Sequence, residues 1–244
     1  MTTTSDEPDV SAHGLSRLSL WSATQAPQRF PALSTDLSVD VAIVGAGITG
    51  ITAAAHIAGS GRTVAVLEAR RVGQGTTGHA TGNLYALVDE YLHTLAKKWG
   101  DDHVSAIVQS RIRAINAIEQ NVAAFHLDCQ FSRQPMALYS TTYALSESHD
   151  IEAEYHAAIR AGLDARMTND LPLPFIVKKA MVVRNQAQFH PLRYVQQLAA
   201  AIHSQQCRIH EESAVVDIDE KNGVVNTAAH TVRAVPFAVA TYAR

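Results

Sequence analysis

The run VDVAIVGAGITGITAAAHIAGSGRTVAVLE, Val39 to Glu68, decides the fold of this 244-residue chain. Val39 to Val44 is a short apolar, β-branched stretch, and Gly45-x-Gly47-x-x-Gly50 follows it at once. An alanine-rich helical stretch then runs to Gly59, and Thr63 to Leu67 is again strand-like and closes on Glu68. Strand, glycine turn, helix, second strand and terminal acid together read as one βαβ unit.

Each part has a physical job. Gly45 lets the chain turn tightly out of the first strand, Gly47 leaves out a side chain where backbone must approach a phosphate group, and Gly50 lets helix and strand pack closely. The helix N-terminus points free N–H groups, with roughly half a unit of positive charge, at the same place. Glu68 ends the second strand, where a carboxylate accepts hydrogen bonds from ribose hydroxyls, which favours a nucleotide without a 2′-phosphate. A glycine triplet alone is compatible with any parallel α/β protein; the complete unit points to a dinucleotide.

NAD and FAD both ride on such a unit, so the pattern alone does not separate them. Beyond Glu68, Arg70 and Arg71 sit where the adenosine half of a dinucleotide would pass, and GQGTTGHATG, Gly73 to Gly82, forms a second loop rich in glycine and threonine. Such a loop suits close backbone approach to a large planar ligand. With this loop the sequence resembles the D-amino-acid-oxidase-like (DAO) family of FAD-dependent oxidoreductases, which includes glycine and sarcosine oxidases. NQAQFHPLRY, Asn185 to Tyr194, resembles the stretch where family members return from the substrate domain to the FAD domain. IHEESAVVDID, from Ile209, resembles the strand whose backbone touches the adenine near Val215. VPFAVATYAR resembles the strand carrying an Ala-Thr pair, here Ala240 and Thr241, near the pyrophosphate.

The resemblance implies an α/β fold: a Rossmann-like FAD-binding domain of the GR2 type interleaved with an α+β substrate domain. It implies FAD as the cofactor, held by Gly45, Ala46, Gly47, Ile48, Thr49, Gly50, Glu68, Ala69, Arg70, Gly75, Thr76, Thr77, His79, Ala80, Thr81, Val215, Ala240 and Thr241. His79 stands where dimethylglycine-dehydrogenase-like relatives carry a histidine linked covalently to the flavin; covalent linkage, noncovalent contact and simple loop packing all stay open. The implied activity is oxidation of a small amine or amino acid by hydride transfer to flavin N5, giving an imine. No catalytic side chain is implied, since the flavin carries the chemistry. Family members usually continue well beyond the Ala-Thr strand, so the C-terminal part is expected to be missing, and a second polypeptide supplying it is one expected partner. A noncatalytic flavin-binding module is the alternative. An NAD-linked dehydrogenase is a third reading, opposed by the long insertion and the GTTGHATG loop. Some relatives with a QAQFHP-like segment carry a Rieske iron–sulfur domain at the far C-terminus, which leaves the electron acceptor open.

Composition narrows the remaining classes. A net charge of −3 and pI near 6.4 give no basic field for nucleic acid. The 12 histidines are scattered without short metal-ligand spacing, so no metal is expected. No apolar run reaches the roughly 18 residues of a membrane span. The N-terminus is polar and acidic, unlike a signal peptide, and Cys129 and Cys207 are far apart, as two thiols in a reducing cytoplasm would be.

Four segments are expected: a leader and arm (1–38) anchored by Trp21, the first part of the FAD-binding domain (39–100), a helical and α+β substrate domain (101–186), and the second part of the FAD-binding domain (187–244). Helices are expected near Tyr91 to Lys98, Asp102 to Phe125 and Glu147 to Ala161, and strands at Leu127 to Thr142 and Ile176 to Arg184. Asp101 and Asp102 read as an N-cap and first-turn acid, and His190 as a cap or a hydrogen bond across the domain junction. Glu211 and Glu212 read as solvated. Arg133 and Arg184 are candidates for a substrate carboxylate.

Overall fold

The computed structural model describes residues 19–141 and 150–241. In chain order the elements are α1 (Leu20–Thr24), β1 (Leu37–Ser38), β2 (Val41–Val44), α2 (Ile48–Gly59), β3 (Val64–Leu67), a 3-10 turn (Thr76–His79), β4 (Asn83–Leu84), α3 (Leu92–Trp99), α4 (Asp101–Ala124), β5 (Ser132–Thr141), α5 (Ile151–Arg160), β6 (Ala165–Thr168), β7 (Val177–Gln188), α6 (Pro191–Ile202), β8 (Cys207–His210), β9 (Val215–Asp219), β10 (Val224–Thr227), β11 (Thr231–Arg233) and β12 (Phe237–Val239). The leader to Leu18 and the expected start of a helix at Glu147 lie outside the described residues; from Ile151 that helix is present as α5.

A parallel sheet in the order β12-β2-β3-β8 positions the candidate site. Every residue of β3 is buried because both faces of the sheet are covered, which is why its sequence is uniformly apolar. Val64 and Val66 face one core with Ile51, Ala54 and the α6 residues Val195, Leu198 and Ala199. Ala65 and Leu67 face another with Val225 and Val232, which belong to a small sheet ordered β1-β11-β10-β9. Small side chains on α2 allow α6 to lie against it. Tyr194, fully buried, accepts a hydrogen bond from Asn121 Nδ2 (2.9 Å) and lies 3.4 Å from Thr52 Oγ1, so α2, α4 and α6 share one polar contact inside apolar surroundings.

A third sheet is built on the long β7, which pairs antiparallel with β4, β5 and β6. Met181 and Val183 pack against Leu92, Val104, Val108 and Ala157 from the three helices that cover it. Ala86, Leu87 and Leu92 belong to this core, so residues 86–92, expected within the nucleotide-binding segment, pack with the third sheet. Buried Glu154 of α5 accepts from the N–H groups of Leu92 and His93 (2.9 and 3.0 Å) and pairs with His93 Nδ1 (2.9 Å), capping α3 from a distance.

Two expectations about local structure are corrected. The single strand expected from Ile209 through Asp219 is two strands in different sheets: β8 ends at His210, and Glu212, with a φ of 50°, turns the chain before β9 starts at Val215. Asp101 and Asp102 do not cap α4; Gly100 is its N-cap, and both acids sit in the first turn, where they oppose the positive helix end.

Candidate cofactor site

The turn from β2 into α2 is held by its neighbours before any ligand is considered. Gly45 has a φ of 102°, in the left-handed region, and its N–H donates to Leu67 O (2.8 Å). A Cβ on Gly45 would lie 2.9 Å from Ala240 O, and one on Gly50 only 1.9 Å from Gly45 O. Ala240 N donates to Val44 O (2.8 Å), which places Ala240 and Thr241 alongside the turn. The opposite wall is the 3-10 turn. Thr77, 7% exposed, accepts from Ile48 N through its hydroxyl (3.0 Å), and a Cβ on Gly47 would sit 3.2 Å from that oxygen. Ile51 N–H is satisfied by Gly47 O (3.0 Å), so Thr49 and Gly50 carry the amides that the first turn leaves without an intrahelical acceptor.

Glu68 is fixed through both oxygens. Oε2 accepts from Ala46 N and Oε1 from Arg70 N, each at 2.8 Å, and each oxygen retains a further lone pair for an outside donor. The chain after β8 runs beside it: Ser213 N donates to Glu68 O (2.8 Å) and Glu212 N to Arg70 O (3.1 Å), and half-buried Val215 follows two residues on. Ala69 and Arg70 are exposed.

Most of the residues expected at the cofactor therefore lie on one continuous surface: the turn Gly45 to Gly50 at its centre, Glu68 to Arg70 with Val215 at one end, Gly75 to Thr77 on one wall and Ala240 to Thr241 on the other. His79, Ala80 and Thr81 extend the first wall as an exposed loop, with His79 Nδ1 3.1 Å from Gly75 O. Arg71 does not reach this surface, because Glu211 and Glu212 hold its guanidinium at 3.0 and 2.6 Å.

Glu211 overturns its expected place in solvent. It is fully buried and accepts from Phe30 N (3.1 Å), Val72 N (2.8 Å) and Arg71 (3.0 Å). A carboxylate one residue past a buried parallel strand, two residues before a serine, is the signal that would have found it. Arg133 is engaged by Glu119, Asn116 and Asn185 O, and Arg184 faces Asp164 at 3.7 Å on the surface; neither is held toward the site. Burial pushes the Cys207 thiol up to about 11 and raises Cys129 as well, so both are inert apolar fillers. Among the described residues no group of three or more His, Cys, Asp or Glu is arranged to hold a metal ion, and no helix is long and apolar enough to cross a membrane.

His190 caps α6, with Nδ1 accepting from Arg193 N (3.1 Å), so its proton sits on Nε2 and points to Thr24 Oγ1 (3.1 Å). Burial lowers its pKa below the ordinary 6.5, and burial lowers His203 and His210 too. The unfolded chain then takes up protons that the folded chain refuses. Stability should be full above about pH 7 and should fall as pH drops through and below 6.5. A melting temperature that stays flat on acidification to about pH 5 would contradict this, and His190→Asn, which keeps a capping acceptor without a titrating ring, should blunt the fall.

Residues 40–244 match the family model of FAD-dependent oxidoreductases, DAO, and the chain belongs to that family. It is 34% identical over 215 residues to YhfW of Bacillus subtilis, named as a Rieske 2Fe-2S iron-sulfur protein, a match covering 87% of this chain and 42% of that one. To the gamma-glutamylputrescine oxidoreductase of Escherichia coli it is 27% identical over 211 residues, covering 84% and 49%. The crystal structure of glycine oxidase from Geobacillus kaustophilus superposes with a TM-score of 0.68 at 21% identity, covering 84% and 55%, and shares the fold. The chain thus spans about half the length of these relatives. FAD, the cofactor of the family, fits the surface described: the Thr49 and Gly50 amides at the start of α2 have no intrahelical acceptor, and Glu68 presents fixed carboxylate oxygens at its end.

Proposed function

We propose that this chain binds FAD on the surface running from Glu68 across the Gly45–Gly50 turn to the Thr76–Thr81 loop, and that it forms part of an oxidoreductase acting on a small amine or amino acid. The observation that carries the reading is the turn itself, where Gly45 and Gly50 admit no Cβ and the Thr49 and Gly50 amides have no intrahelical acceptor. Bound FAD would supply hydride acceptance at N5, the chemistry that turns a carbon bearing a neutral amine into an imine. The chain's own residues bind and orient. Thr49 and Gly50 offer amides to the pyrophosphate, Thr77 adds a hydroxyl whose hydrogen is free to donate, and Glu68 accepts from the ribose. Residues 39–82 and 187–244 would hold the cofactor, and 101–186 would cover the substrate. His79, exposed on its loop, is available for flavin contact or covalent attachment.

The second reading is a noncatalytic flavin-binding module that needs another polypeptide. It is favoured by β12, which lies at the edge of the parallel sheet with Val239 56% exposed. The two buried free thiols support a reducing, cytoplasmic setting.

The visible spectrum of the purified chain, before and after acid precipitation, tests the first reading. Yellow protein whose colour is released by acid is expected, and colour retained in the pellet would assign His79 a covalent bond. Colourless protein that takes up no added FAD would sink the cofactor proposal for this chain alone.

A further inference from the structure

The segment from Ser19 to Leu33 lies before the family match, which begins at residue 40, yet it is bonded to both ends of the surface assigned to FAD. At one end the Trp21 indole Nε1 donates to Ala80 O (2.6 Å), on the loop that follows the 3-10 turn. A Cβ on Gly82 would come within 2.9 Å of the same indole, so loop and ring are in contact. Trp21 also lies against His190, with ring centroids 4.7 Å apart, and α1 is tied there by Thr24 Oγ1 to His190 Nε2 (3.1 Å). At the other end Phe30 N donates to Glu211 (3.1 Å), Leu33 N to Ser213 Oγ (2.9 Å), and Glu211 N to Pro31 O (3.2 Å). Glu211 accepts from Val72 N as well, while Ser213 and Glu212 donate to the carbonyls of Glu68 and Arg70.

We propose that residues 19–33 act as a strap that positions both ends of the dinucleotide surface, with Trp21 as the positioning residue for the loop of residues 76–82 and Glu211 as the positioning residue for the turn of residues 68–72. Neither side chain touches the proposed cofactor. Trp21 acts through Ala80 and Gly82, and Glu211 through Val72 and the Glu68 and Arg70 backbone. The inference rests on the FAD reading of the surface but is tested separately from it.

The test is amide hydrogen exchange on the full chain without nucleotide, comparing the parent with Trp21→Phe, Trp21→Ala and Glu211→Gln, followed by titration of each with FAD. Trp21→Ala should speed exchange of Gly78 and Phe189, whose N–H groups bond to Gly75 O and Gly82 O, by about tenfold. Trp21→Phe, which keeps an aromatic ring but loses the N–H donor and the reach of the fused indole, should have a smaller effect at the same amides. Glu211→Gln should speed Val72 and Ser213 and leave Gly78 unchanged, and in all three variants Val64 and Ile209 of the parallel sheet should exchange as in the parent. FAD should bind about tenfold more weakly to Trp21→Ala and to Glu211→Gln. Unchanged exchange at these amides, an increase spread evenly over the parallel sheet, or loosened ends with FAD affinity equal to the parent's would each overturn the proposal. If the parent takes up no FAD, the cofactor reading fails and the exchange pattern alone decides whether the strap exists.

Discussion

Gly50→Ala is expected to abolish retention of FAD and to lower the folding stability of the chain by about 3 kcal/mol, at the upper end of the cost of overpacking. The added methyl would lie 1.9 Å from Gly45 O and 3.4 Å from the Ile43 side chain, and the nearer neighbour is backbone that cannot rotate away. Relief requires α2 to slide off the sheet or the turn to open. Either movement separates the α2 amides from the proposed position of the pyrophosphate. Gly59→Ala is the control, since a Cβ there meets nothing within 4 Å while helix propensity favours alanine; it should be neutral or slightly stabilising. Denaturant melts of the two variants, with flavin absorbance after gel filtration, would decide the matter. A Gly50→Ala chain that melts with the parent and elutes yellow would mean that the turn is not packed as described.

The second large effect belongs to Glu211→Ala, for which a loss of about 4 kcal/mol is expected. Removing the carboxylate strands two buried amides, those of Phe30 and Val72, and frees the partly exposed Arg71 from its inner partner. The amides dominate this expectation, because Arg71 keeps Glu212 and reaches solvent. Glu211→Gln should cost less than half as much, since one oxygen still accepts. Equal losses for the two variants, measured by urea unfolding, would assign the effect to the charge and not to the amides.

The βαβ unit was legible because its signals are local. An apolar run covered on both faces, a turn that admits only glycine and a terminal acid each leave a mark in adjacent residues, and β2, α2 and β3 fall within two residues of their expected limits. The remainder depended on contacts distant in sequence. The resemblance puts Thr77 at the cofactor, but its bond to the α2 end, 29 positions away at Ile48, is seen only in the fold. Glu211 reads as solvated beside another acid, and only its approach to Phe30, 181 positions away, makes it a buried acceptor. The break between β8 and β9 escaped notice because Glu212 takes a left-handed φ without being glycine or asparagine. Residues 86–92 follow the nucleotide unit directly in sequence, and only the fold shows Ala86, Leu87 and Leu92 packing with Met181 and Val183 of β7.

The 24-residue α4 contributes Val104 and Val108 to the core beneath the third sheet and Ile118 to the core beneath the parallel one, with Asn121 joined to Tyr194 at its far end. A helix of that length extends roughly 36 Å, so a single rigid beam crosses from one core into the other. Neither core can melt without exposing part of the same helix. The two cores are accordingly one cooperative unit, and heat or denaturant should take them apart in a single transition despite their separate sheets.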